Sequence, residues 1–168
     1  MEYGQASTGK AMVGQNIGAG NHERVKKITW TVLGINMWTF LILSVFLLIF
    51  PTTVFNLFTK DPLVLDYSFS FMLITAACLF LSSIMSAFSG VTTGTGNAKL
   101  GFFAGFLDGV VFRVTFSFLF GLIWHMEVTG FFLGNTLARL GPVLVHCSYY
   151  FSGKWKERKR LVEQKPLK

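Results

Sequence analysis

Four long apolar segments constrain this chain more than any other feature of its sequence. They cover residues 28–50, 67–88, 100–124 and 128–150. Each is long enough to cross the hydrocarbon core of a bilayer as an α-helix, which takes about 20 residues. Only 14% of the residues are charged, whereas soluble domains carry about 25%. We therefore predict an all-α integral membrane protein with four transmembrane helices.

Lysine and arginine are distributed unevenly among the segments between these spans. They lie before the first span, after the second and after the fourth: Arg24, Lys26 and Lys27; Lys99; and seven residues of the tail. The other two connections hold only Lys60. Because cytoplasmic loops are enriched in Lys and Arg, we predict cytoplasmic loops at 14–27 and 89–99 and a basic cytoplasmic tail at 151–168. A basic run directly after a span favours a topology signal over a nucleic-acid partner.

Residues 1–13 precede the first predicted loop and contain a single short apolar run, at 11–13. This segment is too short to be a span of its own. It is either a disordered leader or the end of a helix whose beginning is absent. Composition alone leaves both alternatives open.

Charged and polar residues inside the predicted spans are candidates for a substrate or ion path. They are Asp108, Arg113, Asn135, Arg139 and His146. Each ionisable group near the bilayer centre needs a partner or a wet cavity. Asp108 and Arg113 lie about 140° apart around an α-helix, so we expect Asp108 to pair across helices, with Arg139 as one candidate. A structural ion pair, a role in substrate or coupling-ion handling, and snorkelling to an interface remain the alternatives.

Small residues recur at helical spacing in three of the spans, and membrane helices pack through such seams. The seams are Cys78, Ser82, Ser86 and Ser89; Gly101, Gly105 and Gly109; and Gly130, Gly134 and Ala138. We predict that each seam contacts a neighbouring helix, unless it borders a substrate path.

No pattern of catalytic or metal-binding residues is found in the sequence. The two cysteines, Cys78 and Cys147, lie in separate apolar spans, and no His/Cys cluster has metal spacing. The glycine-rich stretch 90–99 does not fit a dinucleotide fingerprint, because Lys99 stands where that motif needs Gly or Ala and no strand precedes it. It does not fit a P-loop either, because Ala98 precedes Lys99. We therefore predict that the protein is not an enzyme and has no metal or cofactor.

Four short motifs together resemble the second half of a MATE (multidrug and toxic compound extrusion) transporter. Two are glycine-rich and match cytoplasmic loops of that family: Gly14-Gln15-Asn16-Ile17-Gly18-Ala19-Gly20-Asn21, and Gly90-Val91-Thr92-Thr93-Gly94-Thr95-Gly96-Asn97-Ala98-Lys99. The others are 57–62, which resembles an outer loop, and 152–156, which resembles the C-terminal end of the family. The motifs occur in the expected order over nearly the whole chain.

The resemblance implies that the four spans correspond to helices nine to twelve of a twelve-helix secondary transporter, with 1–13 as the truncated end of helix eight. It further implies export of small organic cations, driven by Na⁺ or H⁺ across a bacterial cytoplasmic membrane, and a missing N-terminal lobe as partner. Residues 67–88 contain no carboxylate. The coupling residue is then Asp108 or a group in the missing lobe.

Two other functions fit the sequence less completely. A lipid-linked saccharide flippase of the same superfamily would prefer a cationic cavity, which Arg113 and Arg139 leave open. A self-sufficient four-helix membrane protein that assembles with partners would explain the small-residue seams. That second alternative does not explain the glycine motif that begins at Gly14.

Overall fold

The computed structural model describes the backbone of residues 2–157 and the side chains of residues 9–157. Part of the predicted tail, 158–168, therefore lies outside the described residues. The described chain begins with helix α1, Glu2–Gly18, which covers nearly all of the predicted truncated helix end at 1–13. The fold is all-helical, with four helices long and apolar enough to cross a membrane.

The four spans are close to the predicted segments but extend further at several ends. They are His22–Ile49, Ser68–Gly94, Ala98–Ile123 and Glu127–Phe151. The first span is the single helix α2, and the second is the helix α5, Ser68–Gly94. Two short helices, α3 (Pro51–Phe55) and α4 (Pro62–Asp66), occupy the predicted sixteen-residue loop between them.

The third and fourth spans are interrupted helices. The third consists of α6 (Ala98–Phe106), π1 (Leu107–Phe112), α7 (Arg113–Phe118) and π2 (Leu119–Ile123). Both π segments have the wider i→i+5 hydrogen bonding, which is rare in proteins and frequently occurs at functional sites. The fourth span is α8 (Glu127–Ala138) followed by α9 (Leu140–Phe151), with the break at Arg139.

Helix α5 lies at the centre of the bundle and contacts α1, α2 and α9, while α8 packs against α7 and the π segments. One end of the bundle holds the connections 19–21 and 95–97 and the segment 152–157, and we call it the junction end. The largest buried apolar cluster lies there: Val13, Val25, Phe88, Val91, Tyr150 and Trp155. Many large apolar side chains of the spans are exposed, as expected of helices that face lipid.

The two glycine-rich loops predicted at 14–27 and 89–99 are mostly helical. Only Gly20 and Gly96 have a positive φ, +73° and +63°, and each ends its helix. Asn21 and Asn97 follow them and donate their backbone N–H to the carbonyls of Asn16 and Thr92, five residues earlier. Both ends are Schellman motifs, in which the glycine in the left-handed conformation closes the last turn. The connections are therefore only three residues long.

The small-residue seam of the fourth span packs as predicted. An added Cβ would lie 2.5 Å from the carbonyl oxygen of Phe120 at Gly130, and 2.6 Å from the amide nitrogen of Ser117 at Gly134. The glycines therefore let α8 approach the backbone of the third span closely. Ala138, the third residue of this seam, is fully buried.

Within the described residues, the seam of the third span contacts no neighbouring helix, which leaves the alternative that it borders a substrate path. A Cβ added at Gly101, Gly105 or Gly109 would meet no atom within 4 Å. All three glycines are exposed, because the third span turns its other face toward α8 and α9.

Candidate functional site

Asp108 and Arg113 form an ion pair inside the third span. Nη2 of Arg113 donates a hydrogen bond to Oδ2 of Asp108 at 2.9 Å. The expectation that Asp108 pairs across helices is wrong, because it assumed a regular α-helix in the third span. The π1 turn accommodates an extra residue, so the amide of Arg113 donates to the carbonyl of Asp108. The wider turn brings the two side chains to the same face.

Parts of this ion pair are buried without a hydrogen-bond partner. The atoms concerned are Oδ1 of Asp108 and Nε of Arg113, and Nε of Arg139 is in the same condition. The described structure gives Arg113 as the partner of the Asp108 carboxylate, and not Arg139 as predicted. Buried donors and acceptors without partners cost free energy. Two further atoms of this kind, Oγ of Ser44 and Nδ1 of His22, lie on the first span.

The polar stripe predicted on the fourth span becomes more buried toward the junction end. Asn135 and Arg139 are half-buried, whereas His146 is 7% exposed and Tyr150 is 8% exposed. Nδ1 of His146 lies 2.9 Å from Oγ1 of Thr92 on α5. The prediction that this stripe faces the bundle interior is therefore confirmed at its buried end.

A second hydrogen bond joins the same two helices one turn further on. The hydroxyl of Tyr149 donates to Oγ1 of Thr95 at 3.1 Å. Together with the contact between Thr92 and His146, it connects α9 to the end of α5. Residues 92 and 95 belong to the second glycine-rich motif, so this motif holds polar interhelical contacts and not a solvent loop.

The two glycine-rich motifs meet where α1 crosses α5. A Cβ added at Gly94 would lie 2.8 Å from Cγ1 of Val13 and 3.0 Å from the amide nitrogen of Gly14. Further along α5, Gly90 lies beside the Lys10 side chain. The absence of side chains at Gly14 and Gly94 lets the helices cross nearly backbone to backbone.

The remaining residues of the motifs lie around this crossing or outside it. Gln15 lies on α1, where the side chain of Asn16 donates to the Met12 carbonyl at 2.8 Å. An added Cβ at Gly18 would meet nothing within 4 Å. Lys99 is exposed near the start of α6.

Sequence reasoning missed the role of Trp155, which is 1% exposed. Its Nε1 donates to the carbonyl of Tyr150 at 3.0 Å, and the two rings stack at 6.0 Å. The ring of His22 lies edge-on at 5.5 Å. The sequence signal for this role was the glycine at position 153, two residues before the tryptophan. In the structure Gly153 has a φ of +73°, and the chain turns there back under α9. The tryptophan thereby joins the end of α9 to the start of α2.

The polar groups described above are suited to non-covalent contacts with a solute. Within the described residues, no group of three or more His, Cys, Asp or Glu side chains could hold a metal ion. Away from the ends of the spans, the charged groups of the described residues are one ion pair and the guanidinium of Arg139. Such groups can contact a polar or charged solute. The closely packed crossing of Gly14 and Gly94 lies elsewhere, at the end of the bundle where α1 meets α5.

Comparison with known proteins identifies the family. The sequence pattern of the MatE family matches residues 3–119. Protein DETOXIFICATION 17 of Arabidopsis thaliana is 26% identical over 144 residues, which are 86% of this chain and 30% of that protein. Multidrug and toxin extrusion protein 1 of Xenopus tropicalis is 23% identical over 153 residues, which are 91% of this chain and 27% of that protein.

A bacterial protein is similar to a comparable extent. The probable multidrug resistance protein NorM of Thermotoga maritima is 22% identical over 154 residues, 92% of this chain and 33% of that protein. The chain thus spans about a third of the length of the curated relatives it matches. No solved structure matches it with significant similarity. Because the family pattern covers more than half of the chain and the fold has four membrane spans, this protein belongs to the MatE family of membrane transporters, which are not enzymes.

Proposed function

We propose that this chain forms part of a cation-coupled efflux antiporter that exports small organic cations. The observation that carries the proposal is the MatE family match over 3–119, which includes most of three spans. Two relatives are named for multidrug and toxin extrusion and for multidrug resistance. We further propose a bacterial cytoplasmic membrane as the location, with the C-terminus in the cytoplasm, since the basic residues cluster at the junction end.

The chain would act as one lobe wall of the transporter. Secondary transporters are commonly built from two repeats that move against each other around a central site. The chain spans about a third of its relatives, and we propose that an N-terminal lobe completes the cavity. The π turn at π1 and the break at Arg139 would then be the points where the third and fourth spans bend.

Asp108 is our candidate for the coupling carboxylate of this lobe. It is the acidic residue of the third span, and its Oδ1 is buried without a hydrogen-bond partner. The coupling ion, Na⁺ or H⁺, would bind at this oxygen and leave the pair with the positive charge of Arg113. In the alternative, the coupling residue lies in the proposed N-terminal lobe.

A lipid-linked saccharide flippase is a second candidate, favoured by one observation. Nε of Arg113 and Nε of Arg139 are both buried and lack hydrogen-bond partners, and guanidinium groups suit phosphate. If the protein is a flippase, replacing either arginine by glutamine should lower transport of the lipid-linked saccharide. Neither substitution should then change the efflux of organic cations from the cells.

Ethidium efflux tests the main proposal. The full gene product would be expressed in cells that lack other multidrug exporters, and efflux would be recorded with a Na⁺ gradient, a proton gradient or neither. We expect gradient-dependent efflux that Asp108→Asn abolishes. Asp66→Asn, the same change at an exposed carboxylate outside the spans, should leave efflux unchanged.

Two other outcomes have distinct meanings. Gradient-dependent efflux that survives Asp108→Asn would place the coupling residue elsewhere and leave the antiporter proposal standing. No efflux of ethidium or of other organic cations, with the protein present in the membrane, would contradict the antiporter proposal itself.

A further inference from the structure

Two basic segments that are far apart in sequence meet at the junction end. The ring of Trp155 lies 5.5 Å from that of His22, and Trp155 shares a buried cluster with Val25. The short 3₁₀ helix Lys154–Lys156 is therefore held against the first turn of α2. Since Trp155 is 1% exposed, the lysines on either side of it are fixed at the bundle surface.

Four exposed cations surround this contact, and we call them the basic patch: Arg24, Lys27, Lys154 and Lys156. Lys26 also lies here, but its Nζ bonds to Glu23 Oε1 at 2.7 Å. With Glu157 included as an exposed carboxylate, the surface stays clearly positive.

The opposite end of the bundle has the reverse sign within the described residues. There, Lys60 is accompanied by three exposed carboxylates: Asp61, Asp66 and Glu127. The positive surface is thus specific to the junction end and does not follow from the basic composition alone.

Exposed aromatic side chains mark the depth of the basic patch in the bilayer. Trp30 is 53% exposed one turn below Lys27, and Phe151 is 67% exposed at the end of α9. Both rings pack on Phe88, at 6.3 and 5.8 Å between centroids. Because tryptophan is enriched at the membrane interface, the adjacent cations lie at the level of the lipid headgroups.

We propose that the basic patch binds the phosphate headgroup of an anionic phospholipid of the surrounding membrane. Arginine and lysine form charge-assisted hydrogen bonds with phosphate oxygens, and clusters of basic residues at span ends attract anionic lipids. The packing of Trp155 fixes the 154–156 segment before any lipid binds, which lowers the entropic cost of binding. This site does not depend on what the protein transports.

Energy transfer from tryptophan to dansyl-labelled lipid measures this binding. The full chain would be titrated in dodecyl maltoside micelles with dansyl-phosphatidylglycerol and, separately, with dansyl-phosphatidylcholine. We expect tighter binding of phosphatidylglycerol. The double variant Lys154→Gln/Lys156→Gln should bind it roughly thirtyfold more weakly, because each basic residue near an anionic surface contributes about a fivefold factor.

Lys60→Gln, the same substitution at the opposite end, is the matched control and should leave the preference unchanged. Far-UV circular dichroism would verify the helix content of each variant. If Lys154→Gln/Lys156→Gln does not fold, the double variant Arg24→Gln/Lys27→Gln would be used in its place. Equal affinity for both lipids would overturn the proposal, as would a loss no larger than that of Lys60→Gln. If millimolar inorganic phosphate abolishes the preference, the site binds free phosphate and the lipid assignment is wrong.

Discussion

Arg113 bonds to Asp108 at 2.9 Å although the two lie five positions apart and an α-helix would place them on different faces. The π1 turn explains the contact, because its i→i+5 hydrogen bonding shifts the register by one residue. The contact between Asp108 and Arg113 therefore depends on the π1 turn of the third span. Two predictions test the pair and the turn separately.

The first prediction concerns the ion pair itself. Asp108→Asn and Arg113→Gln should each lower the free energy of unfolding by about 1–2 kcal/mol, below the 3–5 kcal/mol of a fully buried pair, because the side chains are 24% and 43% exposed. The double variant should cost less than the sum of the two. Thermal and denaturant unfolding in micelles would measure this, with Asp66→Asn as control. Strict additivity would show that the two side chains do not interact.

The second prediction concerns the π turn. Deletion of Gly109 should convert π1 to an α-helical turn and leave the register of α7 unchanged, because one residue fewer restores i→i+4 bonding. Gly105 is the matched control, since it is also exposed and lies in the α-helical part of the same span. Its deletion should rotate the rest of the span by about 100° and prevent folding.

Melting temperature and yield of folded protein would compare the two deletions. We expect the Gly109 deletion to melt within a few degrees of the wild type and the Gly105 deletion to yield little folded protein. Equal damage from both deletions would contradict the assignment of an extra residue to π1.

The length of the apolar segments was enough to predict the four spans, because a membrane span needs little beyond about 20 apolar residues. The inward face of His146 was also predictable from helical spacing. The pairing of Asp108 with Arg113 was not, since a π turn depends on how the third span packs against α8 and α9. Nor could composition distinguish Gly20 and Gly96, which end helices, from Gly14 and Gly94, which lie inside them.

The third prediction concerns the crossing of α1 and α5. Gly94→Ala should destabilise the protein by about 1–3 kcal/mol, the usual cost of overpacking, because the new methyl group would lie 3.0 Å from the backbone nitrogen of Gly14. Gly101→Ala places the same methyl group in open space within α6 and should be neutral or stabilise the protein by up to about 1 kcal/mol, because alanine favours the helix. Equal melting temperatures for the two variants in micelles would show that the crossing is not closely packed.

The fourth prediction concerns the polar contact between α5 and α9. Thr92→Val keeps the shape of the side chain but removes the hydroxyl 2.9 Å from Nδ1 of His146. The expected loss is roughly 0.6–2 kcal/mol, since interhelical hydrogen bonds in membranes average about 0.6 kcal/mol and a buried ring nitrogen would be left without a partner.

Thr93 is the matched control for this contact, because its hydroxyl donates within α5 to Ser89 and its side chain is exposed. Thr93→Val should change the melting temperature by less than Thr92→Val. A cycle with His146→Ala would then show whether the loss belongs to this contact, since Thr92→Val should cost little once the imidazole is gone. If Thr92→Val costs as much without His146 as with it, the two side chains do not stabilise each other.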